Sequence, residues 1–108
     1  MFSFFSSTPS VSVLEAFRKV STEKTVLIDV RETGEYATGH AKSAINMPLS
    51  HLSNDNGKEL LKKEEVLVIC QSGGRSMRAT TFLRDLGVNA VNVEGGTTAW
   101  KANNLPME

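Results

Sequence analysis

The chain has 108 residues, which suits one domain and leaves no room for two of ordinary size. Hydrophobic residues make up 40% of it and charged residues 22%, a balance that excludes an intrinsically disordered chain. Twelve basic and twelve acidic residues cancel, so neither nucleic acid nor a membrane surface is expected as a partner.

No apolar run approaches the roughly 20 residues of a membrane helix. The opening MFSFFSSTPS lacks a basic start and a long apolar stretch, so it is not read as a signal peptide. Residues 1–10 are expected to form an arm, with Phe2, Phe4 and Phe5 partly packed on a domain spanning 11–108. A single cysteine precludes an internal disulfide and fits a reducing compartment, so a cytoplasmic location is expected.

Ser12-x-x-Glu15 is a capping box, and Val13, Leu14, Phe17 and Val20 follow at helical spacing, so residues 13–20 should be a helix. TVLIDV at 25–30 reads as a buried strand. Residues 32–38 suit a short helix ended by Gly39, and residues 44–47 before Pro48 a short strand. The segment 50–63 is polar, with Leu52, Leu60 and Leu61 as anchors after Leu49 and a turn at 54–57. VLVI at 66–69 is a second buried strand that runs straight into CQSGGRS. A helix over 77–86 follows, closed by Gly87; then come a strand at 89–93, a Gly95-Gly96 turn and a helix over 98–102. Strands alternating with helices predict an α/β domain, its mostly parallel sheet covered by helices on both faces. Ligands of such sheets sit beyond the carboxyl ends of the strands, where Cys70 lies.

The segment VLVIC-QSGGR-SMRATTFL has the parts of a nucleophile site. A buried strand delivers Cys70; Gly73 and Gly74 let the backbone bend tightly; a helix starts just beyond, and Arg75 adds a charge at the rim. Successive backbone N–H groups around Cys70 can then point into one cup and lower the thiol pKa. The plain reading of a lone cysteine after an apolar strand is an inert buried thiol. The glycine-rich turn and the helix start favour the reactive reading.

Three segments in order resemble the rhodanese family: LIDVRETGEYATGHAKSAINMPL, CQSGGRS and VNVEGGTTAW. The resemblance covers nearly the whole chain and implies a rhodanese-like α/β fold. It implies a sulfurtransferase whose catalytic cysteine is Cys70, which takes sulfane sulfur from thiosulfate or a persulfide donor and passes it to cyanide or a thiol. It also implies that the loop amides of Gln71, Ser72, Gly73, Gly74, Arg75 and Ser76 hold the persulfide and that the Arg75 side chain binds the anionic donor. Related phosphatases place arginine six residues after the cysteine; Arg75 is five after Cys70, so phosphatase or arsenate-reducing chemistry is disfavoured. A sulfur-carrying or docking module is the other alternative. Gln71 stands where several members carry a basic residue, which weakens the attraction for a doubly negative donor.

Asp29 and Arg31, at the end of the first strand, are candidate supporting residues; the simpler reading is an ion pair or cap, with Glu35 one turn on as a partner for Arg31. His40 is expected to be structural and Trp100 to pack in the core. No metal-ligand spacing or nucleotide motif is present, so no cofactor is expected. The expected partners are a small sulfur donor and a thiol or cyanide acceptor, or a sulfur-relay protein, and the expected state is a monomer.

Overall fold

The computed structural model describes residues 8–22 and 24–108. The expected packing of Phe2, Phe4 and Phe5 lies outside the described residues. In chain order the elements are β1 (Ser10–Val11), α1 (Val13–Lys19), β2 (Thr25–Asp29), α2 (Thr33–Ala37), β3 (Ile45–Asn46), α3 (Asn54–Glu59), β4 (Glu65–Ile69), α4 (Gly74–Asp85), β5 (Ala90–Val93) and α5 (Gly96–Ala102), with 3-10 turns at Leu49–His51 and Leu60–Lys62. Among the described residues the five strands are all parallel, in the order β1-β5-β4-β2-β3. β4 is central, paired with β2 from Glu65 to Ile69 and with β5 from Val66 to Val68.

The buried strands show why the sheet needs helices on both faces. Side chains alternate along a strand. In β4 Leu67 and Ile69 join Leu27, Val91, Val93, Val13, Ala16 and Trp100 in one apolar cluster. Val66, Val68 and Cys70 join Ile28, Val30, Ala79 and Leu83 in the other. Strand parity therefore turns Cys70 toward α4. Fully burying such aliphatic side chains contributes roughly 1.5–3 kcal/mol each before the entropy of ordering is subtracted.

Besides shifts of a residue or so at other element ends, the structure departs from the sequence reading in these places. β1, too short to show a pattern, pairs at the edge with β5 through Ser10 and Val11. The supposed turn at 54–57 is the start of α3: Ser53 Oγ accepts the Asn56 N–H at 3.3 Å, and Asn56 Oδ1 accepts the Ser53 N–H at 2.8 Å. This is a capping box with Asn in place of Glu, so it reads as turn composition. α4 starts at Gly74, not 77, and α5 at Gly96, not 98, because glycine is a poor helix former by propensity yet is tolerated in a first turn. Among the described residues no helix is long and apolar enough to cross a membrane.

Candidate active site

Moving the start of α4 back to Gly74 leaves a loop of only four residues, 70–73, between β4 and α4. Gly73 caps the helix at φ 116°, a conformation that L side chains rarely adopt. That turn brings the Gly73 N–H to 3.0 Å from Cys70 Sγ. The first-turn N–H groups of α4 lack helical partners and add positive potential at the same place. Cys70 is 1% exposed, so water does not satisfy the sulfur.

Two influences on the thiol oppose each other. Burial pushes its pKa up; hydrogen bonds from the Ser76 hydroxyl and from the N–H groups of Ser76, Gly73 and Ser72 outweigh burial and hold it below the ordinary thiol value. The Ser76 hydroxyl has one proton, and Asn92 Oδ1 at 2.6 Å and the Gly73 carbonyl at 3.1 Å compete for it. The backbone N–H groups therefore supply the constant part of the stabilisation.

The loop is fixed from behind by α5. The Thr97 N–H donates to the Cys70 carbonyl at 2.8 Å and the Thr98 N–H to the Gln71 carbonyl at 3.0 Å. The Thr97 hydroxyl donates to the same Cys70 carbonyl at 3.1 Å. The free N–H groups of one helix start thus hold the carbonyls of the loop while the start of another faces the sulfur. Gly96, at φ 57°, makes this approach possible: a Cβ there would lie 2.6 Å from the Gln71 carbonyl oxygen and still closer to that of Cys70.

Asp29 and Arg31 pair with each other, where the sequence suggested an ion pair or cap with Glu35 as the partner for Arg31: Arg31 Nη2 lies 2.8 Å from Asp29 Oδ2, and both side chains are buried. Arg31 also donates to the Gly39 carbonyl at 2.8 Å and to Gln71 Oε1 at 3.3 Å. Gln71 Nε2 in turn donates to Thr98 Oγ1 at 2.9 Å. A neutral residue at 71 thus links β2 to α5, where a cation would face a buried guanidinium.

Glu35 does not serve Arg31. It takes Arg75 in a two-pronged pair, Nη1–Oε1 at 2.6 Å and Nη2–Oε2 at 2.9 Å. The Arg75 guanidinium holds the Glu35 carboxyl well below its usual range, at about 2. Both side chains are more than a third exposed, so the pair stands at the rim. Glu35 Oε1 also accepts the Glu32 N–H at 3.0 Å, closing the capping box of α2. Sequence reasoning missed this partner because Glu35 and Arg75 are 40 residues apart and no local pattern links them. Asn92, Thr97 and Gly96 were missed likewise; Asn92, a buried polar residue inside an apolar strand, was the one visible signal.

His40 is structural: Nδ1 lies 3.0 Å from the Tyr36 carbonyl, and the ring stacks on Tyr36 with centroids 3.7 Å apart. Trp100 is buried and donates from Nε1 to the Pro106 carbonyl at 2.7 Å. A pocket of about 380 Å³ opens beside the loop, lined by residues 72–74, Met77 and Gly95 among others.

The rhodanese-like domain family matches residues 12–103. This chain belongs to the rhodanese-like family. A sulfurtransferase of Allochromatium vinosum is 35% identical over 91 residues, covering 83% of this chain and 84% of that protein. The chloroplastic thiosulfate sulfurtransferase 16 of Arabidopsis thaliana is 37% identical over 97 residues, covering 75% and 78%. A crystal structure of a rhodanese-related protein from Thermoplasma volcanium superposes with a TM-score of 0.83 at 33% identity, covering 93% of this chain and 97% of that one. The rhodanese-like fold, a parallel sheet between two layers of helices, is therefore common to this chain and that solved structure.

Proposed function

We propose that the chain is a sulfurtransferase that carries sulfane sulfur on Cys70, and that the observation carrying this reading is the 3.0 Å approach of the Gly73 N–H to a buried sulfur. An inert thiol has no need of such a donor. A thiolate does, and so does the anionic outer sulfur of a persulfide. In the first half-reaction the Cys70 thiolate attacks the outer sulfur of thiosulfate or of a persulfide. The S–S bond of the donor breaks, and sulfite or a thiolate leaves with the electron pair. In the second, cyanide or an acceptor thiolate attacks the outer sulfur of Cys70 persulfide and releases the Cys70 thiolate. The N–H groups of residues 71–76 hold the charge in both halves, and Arg75 adds to it from the rim with the donors that Glu35 leaves free. The named sulfurtransferase relatives support the reading. A single thiol suits a reducing compartment, the cytoplasm, and a monomer with small or protein-bound sulfur donors.

Steady-state transfer from thiosulfate, and from glutathione persulfide, to cyanide tests the reading. Parallel double-reciprocal lines are expected, as for a covalent intermediate. Cys70→Ala should have no turnover with either donor; transfer by that variant would refute the role of Cys70.

A further inference from the structure

A second pocket shares no lining residue with the Cys70 loop. It has a volume of about 510 Å³, within the roughly 300–1,000 Å³ of small-molecule sites. Its walls are the carboxyl end of α1 and the segment that leads into β3, which place it at the amino-terminal ends of the strands, opposite Cys70. Phe17, Val20 and Pro106 give it an apolar lining. Phe17 is 39% exposed there and packs edge-on against Trp100, with centroids 6.0 Å apart.

The wall is fixed before any ligand arrives. The Lys42 N–H donates to the Pro106 carbonyl at 3.0 Å, Ala41 bridges to Met107, and Trp100 holds the same Pro106 carbonyl at 2.7 Å. Ser21 Oγ donates to the Arg18 carbonyl at 2.7 Å and so satisfies one of the free carbonyls at the end of α1.

Arg18 and Lys42 line the pocket, and among the described residues no acidic side chain does. Lys19, the next residue along α1, is matched by Glu15 and Glu65. Among the described residues, Arg18 and Lys42 have no carboxylate within ion-pair distance. The Glu108 carboxylate is engaged at the wall: it accepts the Ser43 N–H at 3.0 Å and lies 3.8 Å from His40 Nε2.

We propose that this pocket binds an organic anion with an apolar body, an alkyl or aryl carboxylate or sulfonate. The hydrocarbon lies over Phe17, Val20 and Pro106, and the acid group sits between Arg18 and Lys42. Two cations beside an apolar lining select this class over a neutral hydrophobe by charge and over a small inorganic anion by burial. The site is independent of sulfur transfer at Cys70.

Anilinonaphthalene sulfonate is the probe, titrated into the full chain by fluorescence, with dodecanoate as competitor and uncharged phenylnaphthylamine as control. Saturable one-to-one binding displaced by dodecanoate is expected. The double variant Arg18→Gln, Lys42→Gln should weaken sulfonate binding at least about tenfold and leave the neutral control unchanged. Phe17→Ser should weaken both ligands. Because Phe17 packs on Trp100, the charge variant decides the test, and its cooperative melting should match the wild type. Absence of saturable binding, or equal sulfonate affinity in the charge variant, would overturn the proposal.

Discussion

Asp29–Arg31 and Glu35–Arg75 are both carboxylate–guanidinium pairs next to the Cys70 loop, yet they differ in burial. In the first the side chains are 0% and 3% exposed; in the second they are 38% and 36% exposed. The buried pair has no water to replace a lost partner. It also holds the Gly39 carbonyl and Gln71, so it organises the carboxyl end of β2 and one side of the loop. The rim pair is solvated, and its charges are free to rearrange when an anion arrives. The same two functional groups therefore serve as scaffold in one place and as an adjustable charge in the other.

The largest effect should come from breaking the buried pair. Asp29→Ala strands the Arg31 guanidinium and should destabilise the domain by about 3–5 kcal/mol, read as a fall in the denaturant midpoint. A loss below 1 kcal/mol would show that the pair is not structurally isolated. Next comes Gly96→Ala, which leaves both pairs alone and pushes the loop carbonyls of Cys70 and Gln71. A displacement of this kind should cut sulfur transfer by roughly 100-fold. It should also raise the pH midpoint of Cys70 alkylation, since the N–H groups lose their aim.

The smallest effect should follow Glu35→Gln. With both partners more than a third exposed, the change in stability should stay within about 1 kcal/mol. Its pH signature is specific. The folded-state pKa of Glu35 is depressed from 4.5 to about 2, so the wild type gains this contribution above the unfolded value and loses it as pH falls toward 2. The difference in stability between the wild type and Glu35→Gln should therefore shrink across that acid window. Freed from its partner, Arg75 should attract dianionic thiosulfate better, lowering KM for thiosulfate; an unchanged KM would remove Arg75 from that role.

Much of this arrangement is legible in the chain itself. The apolar runs ending in Asp29 and Cys70 identify the two inner strands, and CQSGGRS marks the loop. What could not be read is what crosses between distant segments. Nothing near Glu35 says that its partner is Arg75, and Gly95-Gly96 looks like an ordinary turn until the Cys70 carbonyl is found against it. Local propensity also hid Ser53-x-x-Asn56, whose polar residues suit a turn as well as a helix start. Propensity and periodicity report on neighbours in sequence; long-range hydrogen bonds leave no such trace.

The central claim is that sulfur resides on Cys70, and the intact mass of the protein tests it most directly. The protein is incubated briefly with thiosulfate or glutathione persulfide, measured, then treated with cyanide and measured again, beside Cys70→Ala. The account predicts a gain of one sulfur atom from at least one donor, its removal by cyanide, and no gain in the variant. No gain from either donor, or an equal gain in Cys70→Ala, would contradict it.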